Sequence, residues 1–493
     1  MKTKNVLMLI TIFTCILCVN SIFGQGDVIY EDYKIVANDG AMGDEFGHSI
    51  AIDNDIIAVG VPSDDDNGIN SGAAYLYDAS TGAQIVKLLP TDGAAGAEFG
   101  FSIAISNGIV VVGARVDDEN GVAAGAAYLF DATDGTQLAK LTPNDPEPGD
   151  EFGNSIAIDN GIVAVGAWRA DEYGVGSGAA YLFDASTGNQ LDKLLPDTGN
   201  NYQTFGVSIA MDNGLVAIGA RTYFVLGQGY TFAKAYLFDV STGNQINVFQ
   251  PDIPNYNGDQ GGNFADCLDI ENGLLAVGAP YRSVVWDFSG AAYIFDVSTG
   301  DQLHFITPSD LWDQDRFGTS ISIDNGVVAI GAQWDDDNGF DSGSAYIFDA
   351  ITGVEVSKLL ASDGAEFDLF GTSVAINGDV TVVGAKGYTG DHSGSAYVYS
   401  GITVGISDNE LDGISLYPNP GSGKVTIGNL DKISDINEIR ISNSLGQLVE
   451  VINNTSFDGS TKLLLDISKY EHGLYFLNIR ISDRSIVKKL LIE

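Results

Sequence analysis

The run Phe152-Gly153-Asn154-Ser155-Ile156-Ala157-Ile158-Asp159-Asn160-Gly161-Ile162-Val163-Ala164-Val165-Gly166-Ala167 sets two apolar segments on either side of an Asp-Asn-Gly turn. Alternation at every second position fits a pleated strand, and Asn-Gly tolerates the positive φ values of a tight hairpin. Ala179–Asp184 and Gln190–Leu195 then bracket Ser186-Thr187-Gly188 in the same way, so the stretch reads as four short antiparallel strands.

This unit recurs. Phe-Gly stands at Phe46, Phe99, Phe152, Phe205, Phe317 and Phe370, with Phe264-Ala265 as the fifth copy, and the spacing is 53 residues except for the 59 leading to Phe264. Each copy carries a later Gly (Gly60, Gly113, Gly166, Gly219, Gly278, Gly331, Gly384) and a Tyr opening the third strand (Tyr75, Tyr128, Tyr181, Tyr236, Tyr293, Tyr346, Tyr397). Asp39-Gly40 precedes Asp92-Gly93 by one period, which makes Tyr33–Val36 a fourth strand, whereas the last copy ends after Tyr397-Val398-Tyr399 without one. The N-terminal strand is therefore predicted to complete the last blade and pair both open edges. The expected fold is all-β: a seven-bladed β-propeller of four-stranded blades closed by an N-terminal strand.

At 493 residues the chain exceeds one compact core, and a ring of blades spreads its 45% hydrophobic content. Met1-Lys2-Thr3-Lys4 followed by apolar Val6–Val19 reads as a signal peptide over residues 1–24, and no transmembrane segment is expected in the mature chain. Cys267 is then the one mature cysteine, in the place held elsewhere by Ser, and is read as small core filler. Residues 413–493 carry nine basic and nine acidic side chains, while Gln25–Asp412 carry 12 against 57. Such an acidic surface excludes nucleic acid and disfavours anionic lipid.

The Phe-Gly … Gly-Ala … Gly-Ala-Ala-Tyr pattern resembles the FG-GAP repeats of integrin α-type propellers and their bacterial relatives over residues 25–400. That resemblance implies adhesion or recognition. The family's calcium loop between the first two strands is absent, since only turns such as Asp159-Asn160-Gly161 stand there. After a linker at 401–412, residues 413–493 resemble a type IX secretion sorting domain. The match lies in Leu416-Tyr417-Pro418-Asn419-Pro420, Asn443-Ser444-Leu445-Gly446-Gln447, Gly473-Leu474-Tyr475-Phe476 and Lys488-Lys489-Leu490-Leu491-Ile492. This implies a small Ig-like β-sandwich, the type IX machinery as partner, and a chain secreted to the medium or attached to the outer-membrane surface.

Length variation falls on the face formed by the 2–3 loops and 4–1 connections, where recognition usually resides. All four tryptophans map there, as Trp168, Trp286, Trp312 and Trp334, with Tyr173, Tyr202, Tyr223 and Tyr281 and with Arg115, Arg169, Arg221 and Arg282 nearby. Candidate ligand-binding residues are Trp168, Arg169, Tyr223, Tyr281, Trp286, Trp312 and Trp334; caps on the blade ends are the alternative reading. The residue after each Phe-Gly would ring the axial channel mouth: His48, Phe101, Asn154, Val207, Asp266, Thr319 and Thr372. Acidic loops offer Asp64, Asp66, Asp117, Glu119, Asp335 and Asp337 as candidate cation ligands. Read as calcium loops they lack a first ligand (Ser63, Val116, Trp334), and solvated turn residues explain them as well.

No Gly-x-Ser-x-Gly, His-Glu-x-x-His or Cys-x-x-Cys occurs, and the histidines are His48, His304, His392 and His472. The sequence reading is a non-enzymatic binding or adhesion protein, requiring no cofactor, that recognises an extracellular glycan or protein. A polysaccharide lyase or glycoside hydrolase and a structural surface-layer component are the alternatives.

Overall fold

The computed structural model describes residues 27–221, 233–252, 262–284, 287–387, 393–402, 415–417, 423–428, 436–443, 448–453, 462–470, 472–481 and 484–492. Tyr223, Trp286, His392, the expected signal peptide and nearly all of the linker lie outside them. The chain divides into two compact units, residues 1–402 and 403–493. Among the described residues no helix is long and apolar enough to cross a membrane.

The first unit is a seven-bladed propeller. Its third blade runs Phe152–Asp159, Ile162–Ala167, Ala179–Asp184 and Gln190–Leu194 in antiparallel order. In the seventh blade Phe370–Asn377, Val380–Ala385 and Ser395–Ser400 are completed by the N-terminal strand Tyr33–Ile35, antiparallel to the third strand with Tyr33 opposite Val398. A further segment, Asp27–Tyr30, is not foreshadowed by the repeat. It runs parallel to Glu355–Leu360 as a fifth strand on blade 6. Glu31 then accepts from the backbone and hydroxyl of Ser362, and Asp32 from those of Ser400, so the N-terminal ribbon bridges two blades.

The core lies between blades. Where blade 1 meets blade 2, Ala58, Ala74, Leu76 and Leu88 pack against Phe99, Ile103, Val110, Val112, Tyr128 and Phe130. Phe99 makes edge-to-face contacts with Tyr128 at 5.5 Å and Phe130 at 5.7 Å, and the same triangle recurs at Phe152, Tyr181 and Phe183. The Phe-Gly glycine is required by close approach. Gly100 has φ +94°, and a Cβ there would stand 2.3 Å from the Ala73 carbonyl oxygen of the preceding blade. Ser49 donates to the Gly100 carbonyl at 2.9 Å, and this bond passes from blade to blade through Ser102, Ser155, Ser208, Ser320 and Ser373, which returns to Gly47. Cys267 takes this position in blade 5 with its Sγ 3.1 Å from the Gly318 carbonyl, so the thiol is a link in the ring as well as filler.

The second unit is a β-sandwich. Ser415–Tyr417, Lys424–Gly428 and Lys462–Asp466 form one sheet; Leu448–Asn453, Ile436–Asn443, Gly473–Ile481 and Arg484–Ile492 form the other. Val425, Ile427 and Leu465 meet Ile439, Ile441, Leu477 and Leu490 between them.

Candidate functional site

The acidic loops close on a cation that belongs to the protein. In blade 1 the Lys87 ammonium, from the fourth strand, donates to Asp39 (2.9 Å), Asp64 (2.8 Å) and Asp66 (2.7 Å) and lies 5.0 Å from the Tyr75 ring centre. Asp39 comes from the 4–1 connection entering the blade and Asp64 and Asp66 from its 2–3 loop, so one ammonium ties three segments together. Lys140 does the same with Asp92, Asp117 and Glu119 over Tyr128, and Lys358 with Asp310, Asp335 and Asp337 over Tyr346. Lys193 holds Asp145 and Glu172 over Tyr181. The buried carboxylate of the other loops is Ala170 here, and the Tyr181 hydroxyl is left without a partner. Lys34 of the N-terminal strand completes the set with Asp363 over Tyr397.

Each candidate cation ligand named from the sequence (Asp64, Asp66, Asp117, Glu119, Asp335, Asp337) thus has a lysine ammonium in hydrogen-bonding or ion-pairing reach. Burial alone would push the pKa of Lys87 down, but its carboxylate and Tyr75 partners outweigh that and raise it. Lys is read from sequence as a solvated edge residue, so this role was missed. The available signal was a Lys twelve residues after the third-strand Tyr, at Lys87, Lys140, Lys193 and Lys358, with an Asp of the next connection four or five residues further on.

A second constellation rings the channel mouth. The residues after Phe-Gly are half-buried, and two neighbouring pairs touch: His48 and Phe101 rings lie 4.8 Å apart, and Asn154 donates to the Val207 carbonyl at 3.1 Å. Beside them stand Glu45, Glu98, Glu151 and Lys386, which the sequence reading did not name, together with Arg115, Trp168, Arg169 and Arg221, which it did. Glu98 accepts from Arg115 Nε at 2.7 Å, and the Arg115 guanidinium carbon lies 3.6 Å from the Phe101 ring centre. Glu151 accepts from Trp168 Nε1 at 2.9 Å and pairs with Arg169 at 3.0 Å. Arg221 pairs with Asp266. Glu45 bonds His48 at 3.0 Å and pairs with Lys386 at 3.4 Å; burial would raise its pKa, but these two partners bring it down to about 2. Burial pushes the His48 pKa down, with Glu45 opposing. The signal for these glutamates was the residue ahead of each Phe-Gly, which reads Glu in blades 1 to 3 and then Thr204, Asn263, Arg316 and Leu369.

The aromatic candidates divide by exposure. Trp168 is only 7% exposed and serves as a platform, with the guanidinium carbons of Arg169 at 4.5 Å and Arg221 at 5.2 Å. Trp334 is half-buried under Arg316, whose guanidinium carbon is 3.2 Å from its ring centre and 4.6 Å from that of Tyr281. Trp312 stands 62% exposed on the connection entering blade 6. Around it the loop face carries an apolar crown: Ile69, Val122, Val175, Phe288 and Phe340 on 2–3 loops, and Met42, Tyr202 and Phe367 on 4–1 connections, all exposed. Among the described residues, the 2–3 loop tips of blades 1, 2, 3, 5 and 6 are braced by the following connection, as in Phe367 N–H to the Phe340 carbonyl at 2.9 Å. On the opposite face the hairpin turns among the described residues expose Ile351 and Val354, and next to those turns the outer strands expose Ile85, Leu138, Leu191, Ile246, Leu303 and Val356 around the rim.

Comparison with known families agrees with this architecture. The FG-GAP repeat model matches residues 30–77, 83–130, 136–183, 301–348 and 354–399. The secretion system C-terminal sorting domain model matches residues 415–493. No curated protein matches the chain. The sorting domain implies the type IX secretion machinery as a partner and places the protein on the cell surface or in the extracellular medium. The chain is an FG-GAP repeat propeller joined to a secretion system C-terminal sorting domain.

Proposed function

We propose that the protein is a surface-displayed, non-enzymatic binding or adhesion propeller that recognises a glycan or protein through its 2–3 and 4–1 loop face. The observation that carries this reading is the asymmetry between the faces: exposed aromatic and aliphatic tips surround the mouth on one, while polar hairpin turns cover the other apart from Ile351 and Val354. Exposed apolar loop tips clustered around a channel mouth mark an interaction surface, whereas the exposed Ile85, Leu138, Leu191, Ile246 and Leu303 are spread singly along the outer strands. The tips sit on braced loops, which limits the ordering cost of binding. At the mouth Glu45, Glu98, Glu151 and Asp266 are each ion-paired, an arrangement suited to fixed recognition and poorly suited to proton donation.

The test is a glycan array and a surface-protein pull-down with the full-length chain, wild type against Trp312→Ala/Phe340→Ala. Both rings are exposed, so the fold should survive. The expected result is a bound ligand in one format and at least a roughly tenfold loss in the double variant. Unchanged binding by the variant would refute the loop-face reading, and release of reducing ends from a glycan panel would replace it with the lyase or hydrolase alternative.

A further inference from the structure

Charge inverts once around the mouth. The residue ahead of the inner-strand Phe is Glu45, Glu98 and Glu151 in the first three blades and Arg316 in the sixth. The three glutamates hold Lys386, Arg115 and Arg169, and Arg221 is held by Asp266. Arg316 has no such partner: among the described residues no carboxylate reaches ion-pair distance, and its buried Nε has no hydrogen-bond acceptor. Its guanidinium is instead sandwiched between Trp334 and Tyr281, and Phe288 packs edge-on against Tyr281 at 5.9 Å. A guanidinium remains charged at any physiological pH, and stacking on rings leaves its in-plane donors unfilled. Burial lowers the Arg316 pKa, so the cation stands where it is disfavoured unless an anion joins it.

We propose that Arg316 receives the carboxylate of a sugar acid within the bound ligand, an inference that rests on the loop-face reading above. The planar fork matches a carboxylate two bonds at a time. Trp312 and Phe288, exposed on the same connection and on the loop that braces it, supply flat apolar faces of the kind that pyranose C–H groups stack on. The formal charge of −43 repels a dense polyanion, which selects a glycan whose acidic residues are spaced by neutral ones. The same arginine would hold an acidic side chain of a protein, and the test separates the two.

Intrinsic tryptophan fluorescence of the full-length protein reports the site, because Trp334 lies directly under the guanidinium. Titrants are sodium galacturonate, its neutral methyl ester and sodium acetate. The expected result is a saturable response to galacturonate, at least tenfold weaker for the ester and for acetate, lost in Arg316→Gln and partly kept in Arg316→Lys, with unchanged circular dichroism. No saturable response, equal response to acid and ester, or wild-type behaviour of Arg316→Gln overturns the proposal. Acetate binding as tightly as galacturonate also overturns it and points to an acidic protein ligand. If array or pull-down binding falls in Trp312→Ala/Phe340→Ala but not in Arg316→Gln, this inference fails while the loop-face reading stands; if neither variant changes it, both fail.

Discussion

Replacing Lys358 by Met keeps an apolar stem against Tyr346 and removes only the ammonium. Asp335 is 5% exposed in its side chain, like its counterparts Asp64 and Asp117, and Lys358 is only 4% exposed against 14% for Lys87, because the strand Asp27–Tyr30 pairs along this blade edge with Val28 opposite Lys358. Without the cation, Asp335 is a buried carboxylate beside Asp310 and Asp337, with ligand oxygens of all three within 4.8 Å of one another. Removing one partner of a buried pair costs about 3–5 kcal/mol. Lys193→Met is the matched control. Its partners Asp145 and Glu172 are 51% and 37% exposed, and Ala170 replaces the buried acid, so the loss should be about 0.2–1 kcal/mol. Urea unfolding of both variants measures the difference. Equal shifts in midpoint would mean that the buried carboxylate adds nothing and would refute the reasoning.

A second arm asks whether the lysine stands where a metal would. Three oxygen ligands without their ammonium form an acidic cluster suited to a hard cation. For a dissociation constant of about 1 mM, calcium at about 10 mM would return about 1.4 kcal/mol to Lys358→Met. Wild type should gain nothing. Equal stabilisation of both proteins by calcium would show that the ammonium does not occupy the cation position.

Two further perturbations test the scaffold. Burial lifts Asp150 and Asp269 to about 6 and Asp315 and Glu271 to about 7, so the fold binds protons that the unfolded chain releases, and stability should fall as pH rises from about 4 to 7. Despite burial, lysine partners hold Asp39, Asp92 and Asp363 below the usual carboxylate range, so their contribution is lost only on stronger acidification; thermal scans should give a maximum near about pH 4, and Asp269→Asn/Glu271→Gln should flatten the decline toward neutral pH. Gly100→Ala should cost more than about 3 kcal/mol, because both its φ and the Ala73 carbonyl oppose a Cβ. Ala265→Gly should instead stabilise by about 1 kcal/mol, since Ala265 already holds φ 64° at the equivalent position; thermal melts of the two variants check both signs.

The blade count and the closing strand were legible because both depend on local alternation and a fixed period, which one chain records completely. Tyr33 opposite Val398 follows from counting residues. The fifth strand was not legible: Asp27–Tyr30 lies outside the period, is four residues long, and pairs parallel to a segment more than 300 residues away. The site was only partly legible for a related reason. Trp168 and Trp312 are alike as letters in loops of the same face, yet one is walled in by Glu151, Arg169 and Arg221 and is 7% exposed, while the other is 62% exposed. Of that cover, Arg169 is adjacent in sequence and Glu151 recurs at the same 17-residue spacing as Glu98 before Arg115, but Arg221 arrives from the next blade, and no spacing rule within one repeat records it. The lysines were in view throughout, but a charged residue on an outer strand reads as solvated until the two loops that cover it are placed.

The bonds that make the ring regular also show where it departs from itself. Lysines hold blades 6, 7, 1, 2 and 3, a contiguous arc, through Lys358, Lys34, Lys87, Lys140 and Lys193. Across blades 4 and 5 the same position is Val248 and Phe305; Phe305 packs on Tyr293 at 5.3 Å, and Tyr236 bonds Gln203 instead. Here too Phe-Gly becomes Phe-Ala, Ser becomes Cys267, and residues 184–300 fall outside the repeat match. Drift of packing alone would scatter such changes around the ring. Their confinement to two adjacent blades, with Arg316 stacked on Tyr281 at the border, argues that the lysine staple and the regular inner strand were lost together as one structural unit rather than by independent drift.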